Sequence, residues 1–427
     1  MRKKWLLLMV LGMCLINNAH AQTSYKLMFY NLLNFPSENT VPNRLLHLQT
    51  ILMDYQPDIF MVCELNNEAA AINILQVFQE RIAIDFEMAA FQLNTSDDTI
   101  GDSNAFQNML FYNGSKFQLD NQTIIPTLFR DFNHYKLELL ATNELENRIF
   151  LDVIVGHLKA SRGVDNEALR LRMVNDLMSY LNTFPEDSHV ILAGDFNVYT
   201  SSEPAFQALT NPNNTITFTD PANSLGNWHN NASFASVFTQ STRTRTDFGG
   251  SSGGMDDRFD FMMTSSNLNQ TGTDLYYEPE TYQVYGNNGN PDCFNKAIIS
   301  PDCDGSLFTY NIREALHLFS DHLPVTMEIS TTSALSVPTY SQKVNNPIEI
   351  LGSNYVQNSL QLKVNETVLG NNQNLYIYNT IGQLITHVPV TARNTYNVPL
   401  THLSAGIYYI VGANWQHIKP LKFIKTP

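Results

Sequence analysis

The sequence is short of charge, and above all of positive charge. Only 15% of its 427 residues are charged, and 25 Lys and Arg face 40 Asp and Glu, for a formal charge of −15. No long basic run occurs. A protein that grips nucleic acid by counterion release usually presents a basic face, so a stable DNA-binding module is not expected. Phosphate chemistry stays open, because bound metal ions and a few local cations can offset the repulsion of a polyanion. Long apolar runs are also missing: Trp5–Ile16 is too short to span a bilayer, so no stable membrane insertion is expected. Cysteine is scarce, with four in the chain. Hydrophobic residues, at 43%, suffice for a large core and exclude a disordered chain. There is no internal repeat.

The N-terminus carries a three-part pattern. Arg2, Lys3 and Lys4 precede the apolar run, and Ala19-His20-Ala21 is a small-x-small cleavage site. Residues 1–21 therefore read as a secretory signal peptide. Cleavage after Ala21 leaves 22 Lys and Arg against 40 Asp and Glu, a charge of −18. Cys14 follows Met13, which is too large for a lipoprotein site. Cys293 and Cys303 lie close together in a polar stretch, where an oxidising compartment would allow a small loop worth about 2–3 kcal/mol. The sequence leaves that pairing open. Cys63 sits in an apolar run and reads as a buried thiol.

Residues 24–330 read as one α/β domain, because short apolar strands alternate with helical stretches. Strands are expected at Tyr25–Asn31, Asp58–Cys63, Phe150–His157, His189–Asp195, Arg258–Thr264 and Leu323–Ile329. Arg44–Tyr55 and Asn166–Leu181 carry apolar residues at helical spacing. Residues 331–345 are rich in Ser, Thr, Pro and Asn and read as a linker. Residues 346–427 show short alternating strands at Leu375–Asn379 and Ile407–Val411, with Gly382 and Gly406 as turn residues. That pattern predicts a small all-β sandwich. It has no cluster of His, Cys or carboxylates, so no chemistry is expected there.

Five apolar strand segments end in, or follow, a polar or ionisable residue: Asn31, Glu64, His157, Asp195 with Asn197, and Asp321 with His322. Strand ends are where α/β scaffolds assemble sites. Charged groups buried there need partners, most simply one another and a metal ion. Glu64 offers hard oxygen ligands for Mg²⁺ or Mn²⁺. His322, backed by a carboxylate, can deprotonate water. Asn31 and Asn197 can hold phosphate oxygens without adding negative charge.

These residues stand in FYNLLNF, PDIFMVCE, GHLKAS, GDFN, RFDF and SDHLPV, in that order. The set, spanning about Tyr25 to Ile329, resembles the motifs of the DNase I-like endonuclease/exonuclease/phosphatase superfamily. The resemblance implies a four-layer α-β-β-α sandwich. It implies that Glu64, with Asn31 nearby, binds the metal and that Asp321 completes the metal or hydrogen-bond shell. Asp260 would orient His322, Asp195 would steer the nucleophile or stabilise the transition state, and Asn197 and His157 would contact the scissile phosphate. Mg²⁺ or Mn²⁺ would be the cofactor, with Ca²⁺ as an alternative structural ion. One departure is Cys63, where the family usually has Gln. Tyr135 is a candidate for a mid-chain Tyr of some DNA-repair members, and Asp256 and Asp257 would crowd the site or bind a second ion. The loop Arg243–Asp257 reads as mobile. Arg162, Arg170 and Arg172 are either helix-surface charges or phosphate ligands, and Asp220 reads as a turn residue.

The C-terminal segments LYIYN, IGQL, LSAGIYY and KFIK resemble the type IX secretion sorting domain of gliding-type bacteria. That resemblance implies passage through an outer membrane and contact with the secretion machinery. The expected product is a secreted or surface-located, monomeric phosphodiesterase acting on DNA or RNA. A phospholipid or inositol-phosphate phosphoesterase and a non-catalytic surface binding protein remain as alternatives.

Overall fold

The computed structural model describes residues 23–95, 106–140, 148–271, 273–331, 348–364, 374–380, 383–389, 395–412 and 421–426. The expected signal peptide, Gly382 and the expected linker apart from Thr331 lie outside the described residues. The chain divides into two compact units, Met1–Val337 and Pro338–Pro427.

In the first unit the order is β1 (Thr23–Phe35), α1 (Arg44–Tyr55), β2 (Ile59–Leu65), α2 (Glu68–Arg81), β3 (Phe86–Met88) and β4 (Gln107–Asn113). There follow β5 (Phe117–Ile125), β6 (Phe132–Leu139), β7 (Phe150–His157), α3 (Val164–Leu181), β8 (Val190–Asp195), α4 (Pro204–Leu209) and β9 (Phe218–Thr219). The unit ends with β10 (Asp260–Ser265), β11 (Leu275–Tyr277), β12 (Gln283–Val284), α5 (Tyr310–Phe319) and β13 (Val325–Thr331).

These strands form two sheets. One runs β11-β13-β1-β2-β4-β3, with β12 also on β13; the other runs β5-β6-β7-β8-β10-β9. Each has one parallel pair joined through a helix: β1-α1-β2 and β7-α3-β8. The remaining pairings around them are antiparallel.

The alternation of strand side chains explains the layering. Val153, Val155, Ile191, Ala193 and Met262 join the core shared with the first sheet and with α1, α2 and α5. Their neighbours Ile154, Val190, Leu192, Phe261 and Met263 face the other way and pack under α3 and α4. The second sheet is thus apolar on both faces, and the unit is a four-layer α-β-β-α sandwich. α3 supplies its layer through Arg170, Met173, Val174, Leu177, Met178 and Leu181, a stripe at helical spacing.

Several side chains depart from their expected settings. Arg170 is fully buried: it pairs with Glu203 and donates to the carbonyls of Lys159 and Ser161, so it is neither surface charge nor phosphate ligand. Asp220 opens a turn, as expected, its carbonyl accepting from the Asn223 amide and its side chain from the Ala222 amide, but it is also a buried acid that accepts two hydrogen bonds from Arg258, at 2.7 and 2.8 Å. Tyr135 is wholly buried in the core between the sheets. The loop after Arg243 is tied down, because the buried guanidinium donates to the carbonyls of His317, Phe248 and Gly249. Cys293 and Cys303 form a disulfide, the pairing the sequence left open, and Cys63 is the buried free thiol expected.

The Asp220–Arg258 pair yields a stability prediction. Both side chains are out of solvent, and the guanidinium also lies over the Trp228 and Phe261 rings. Asp220→Ala leaves that charge buried and unpaired, which costs about 3–5 kcal/mol. Thermal denaturation should show a markedly lower Tm; a variant melting within about 2 °C of the parent would refute the argument.

The second unit is all-β. Its sheets are β14 (Ile348–Ile350), β16 (Ser359–Val364) and β19 (Thr395–Pro399) on one side; on the other are β15 (Tyr355–Val356), β21 (Leu421–Lys425), β20 (Gly406–Gly412), β17 (Asn374–Asn379) and β18 (Leu384–Pro389). Leu360, Leu362, Leu375, Ile377, Ile410 and Phe423 are among the residues of its core. Among the described residues, no helix of the chain is long and apolar enough to cross a membrane.

Candidate active site

The topology brings the expected residues to one end of the first unit. Asn31, Glu64, His157 and Asp195 stand at or near the carboxyl ends of the parallel strands β1, β2, β7 and β8. Asp260 opens β10, which runs antiparallel to β8, so it pairs in register with Asp195. Asp321 and His322 precede β13, which runs antiparallel to β1 with Val325 opposite Phe29. The amino ends of antiparallel strands thus meet the carboxyl ends of parallel ones.

Local sequence aims the side chains. In GDFN, Asp195 and Asn197 line the cleft while Phe196 turns into the α3/α4 core and stacks on Phe261 at 5.2 Å. Gly194 lies opposite Gly156, and a Cβ on Gly194 would come within 2.3 Å of the Gly156 carbonyl oxygen. This close approach sets His157 beside Asp195. In RFDF, Arg258 turns to Asp220 and Asp260 to His322. In SDHLPV, Ser320 donates its hydroxyl to the Asn31 carbonyl and accepts the His322 amide, locking that loop onto β1. Leu33, Asn34 and Glu64 have φ near +50°, a costly conformation for residues other than glycine. It accompanies the irregular β1–β2 register and is held by the Asn34 amide donating to Glu64 at 2.8 Å.

The cleft, about 540 Å³, is lined by Glu64, His157, Asp195, Asn197, Asp321 and His322 among others. Asn31 and Asp260 stand one contact behind it. The Asn31 amide donates to Glu64 and to Asp195, both at 3.0 Å. Asp260 accepts from His322 Nδ1 at 2.7 Å, which turns His322 Nε2 toward Asp195, 3.8 Å away. His157 Nε2 lies 3.5 Å from Asp195 and 4.0 Å from Glu64. Asp321 accepts from the Ser251 amide and from Gln240, and lies 4.0 Å from His322 Nε2. All eight expected residues are therefore together. Asp256 and Asp257 are not in the cleft wall, and Asp257 instead takes a hydrogen bond from His229.

Four carboxylates in so small a volume disturb one another. Burial, then Asp321, raises the Glu64 carboxyl. Asp195 is pushed up to about 7 by burial, partly relieved by His322 and reinforced by Asp260 and Glu64. Burial lowers His322, but Asp260, Asp321 and Asp195 outweigh it and raise the imidazole well above its usual range. Burial and Arg130 push His157 well down, so it is neutral. Buried Asp260 Oδ1, Asp321 Oδ1 and His157 Nδ1 have no hydrogen-bond partner. Two sets of ligand atoms lie close enough to share an ion: Glu64, His157 and Asp195, and Asp195, Asp260 and His322. A hard divalent cation fits such donors. Asp195 belongs to both sets, whereas Asp321, expected in the metal shell, belongs to neither.

The sequence did not point to several cleft residues. Gln240 lies 2.6 Å from His322 Nε2, yet a Gln in a loop gives no signal. Phe106, Phe129, Arg130, Tyr199 and Phe259 also line the cleft. Only their spacing from the motifs, as in Tyr199 just past GDFN and Phe259 inside RFDF, could have suggested them.

Two packed sheets with a carboxylate and imidazole cleft at their common end define a DNase I-like α/β protein. The chain belongs to the Endonuclease/Exonuclease/phosphatase family, whose model matches residues 28–322. Residues 354–426 match the secretion system C-terminal sorting domain. The chain is also similar to the human Nocturnin catalytic domain with bound sulfate, at 16% identity over 72% of this chain and 94% of that one, with a TM-score of 0.44. It is similar to D. rerio TDP2 complexed with single-strand DNA product, at 15% identity over 72% and 100%, TM-score 0.46. A third similar structure is the mannosyl-6-phosphatase Bt3783 of Bacteroides thetaiotaomicron, at 14% over 71% and 99%, TM-score 0.42. No curated protein matches the chain.

Proposed function

We propose that the chain is a secreted, divalent-metal-dependent phosphodiesterase that hydrolyses DNA or RNA. The observation that carries this reading is the convergence of Glu64, His157, Asp195, Asp260 and His322 on one cleft. Export is supported by the sorting-domain match at 354–426. The catalytic domain is taken as residues 24–330, with the sorting domain at 346–427.

Glu64 and Asp195, with Asn31 between them, would hold Mg²⁺ or Mn²⁺. The ion would neutralise the phosphate and the departing oxygen when bound. It would also return the raised carboxyls to their ionised form and lower His322 toward the neutral base that proton transfer requires. His322 Nε2 takes a proton from the attacking water, and Asp260 holds Nδ1–H and steadies the resulting imidazolium. Asp195 orients that water. Asn197 and neutral His157 donate to the nonbridging phosphate oxygens. Attack is in line, and the water oxygen replaces the leaving oxygen on phosphorus directly.

The test compares plasmid nicking with sphingomyelin hydrolysis, each with and without EDTA. Metal-dependent nicking is expected. Sphingomyelin hydrolysis alone would give the lipid reading instead, and no turnover of any phosphoester would leave a binding protein.

A further inference from the structure

One wall of the cleft is cationic and aromatic. The Arg130 guanidinium lies 4.9 Å from the Phe129 ring centroid and 5.6 Å from that of Phe106. The Lys159 ammonium lies 5.1 Å from the Phe129 ring. Arg162 lies 5.6 Å from Tyr199. Phe106, Phe129, Arg130, Lys159 and Tyr199 all line the cleft, and Lys159 and Arg162 follow His157 on the same loop. In a chain with 40 acids and 25 Lys and Arg, two cations on the wall and a third, Arg162, against the lining Tyr199 ring are a concentrated resource.

Arg162 is held in an unusual way. The buried arginines Arg170 and Arg258 each pair directly with a carboxylate. Arg162 is exposed, and its Nη1 meets His229 Nε2 at 3.1 Å. His229 Nδ1 in turn lies 2.7 Å from Asp257 Oδ1. A carboxylate can only accept, so Nδ1 carries the proton toward Asp257 and Nε2 accepts from Arg162. The imidazole ring stacks edge-on against Tyr199 at 5.4 Å. Asp257 therefore orients Arg162 through a neutral ring and without direct pairing. One guanidinium N–H is used, and the others have no protein partner among the described residues. The charge remains available to an anion from outside.

We infer that Arg162, braced by His229 and Asp257 over Tyr199, binds a phosphate next to the scissile one, so that the enzyme prefers a single-stranded polynucleotide over a lone phosphodiester. The alternation of cations with rings suits such a strand, whose phosphates take the cations and whose bases take the aromatic faces. This inference rests on the phosphodiesterase reading above. Arg162 touches the flanking phosphate only, and His229 is a positioning residue.

The test uses the full chain with Mn²⁺ and two probes, a single-stranded oligonucleotide and bis(4-nitrophenyl) phosphate, which has no second phosphate. The readout is the ratio of kcat/KM for the two. Arg162→Ala should lower that ratio about tenfold or more, chiefly through KM, and flatten the salt dependence of oligonucleotide cleavage by about one unit of slope. His229→Ala should lower the ratio less, and Arg162→Lys should recover part of it. Because Arg162 is exposed, loss of folding does not complicate the result. An unchanged ratio in Arg162→Ala overturns the inference while the phosphodiesterase reading stands. So does a wild-type enzyme that turns over the small probe and shows no preference for the oligonucleotide. A wild-type enzyme inert on both probes overturns both readings.

Discussion

His322→Ala is expected to lower kcat by about 10²–10⁴-fold, the range for loss of a positioned general base. The expectation follows from geometry. Asp260 sits 2.7 Å from Nδ1 and has no exposure to solvent, so the ring cannot turn without stranding a buried carboxylate. Nε2 is thereby presented to the cleft beside Asp195. Asp260→Asn should follow the same course, because an amide can donate to Nδ1 and so favour the tautomer with its proton on the wrong nitrogen. The two losses should not add in the double variant, since the residues act as a unit. Single-turnover cleavage of a labelled oligonucleotide reads the effect. His322→Ala cleaving within tenfold of the parent would remove this residue from the proton-transfer role.

Glu64→Gln should raise the Mn²⁺ concentration needed for half-maximal activity by more than the roughly 10–100-fold typical of losing a partner behind the ligands. The change keeps shape and removes one charge. Glu64 accepts from the Asn31 amide and the Asn34 backbone, so one end of a Gln amide must oppose a donor. Without metal the variant should be only slightly less stable than the parent, because burial and Asp321 already make the Glu64 charge costly and its removal offsets the opposed donor. With metal the parent should gain Tm while Glu64→Gln gains much less, by linkage of binding to folding. A metal-dependent Tm rise of equal size and midpoint in both proteins would sink the ligand assignment.

Parts of the fold were legible in the sequence because they are local. The helix Arg44–Tyr55 and the strand Phe150–His157 have the bounds that apolar spacing suggests. Alternation within VILAGD and DFMMTS assigns their side chains to two opposite cores. The ordered motifs marked Asn31, Glu64, His157, Asp195, Asn197, Asp260, Asp321 and His322 as candidates. What could not be read were partnerships across long stretches of chain. Arg170 stood open between a surface charge and a phosphate ligand because its partner, Glu203, is 33 residues away. Asp220 was legible as a turn residue, but not as the partner of Arg258, which lies 38 residues on. Gln240 and His229 carry no signature at all, and their importance comes from the atoms they face.

By itself the sequence determined which segments pair as strands and helices, which residue types end them, and which two domain patterns follow one another, since spacing along a chain governs which face a side chain takes. Only the tertiary structure decided who meets whom: that Asn31 bridges Glu64 and Asp195 across 164 residues, that Gln240 faces His322 Nε2, and that Arg162 is braced by a histidine. Those contacts depend on strand order and register, and on which ends of parallel and antiparallel strands coincide. No local rule of spacing fixes that.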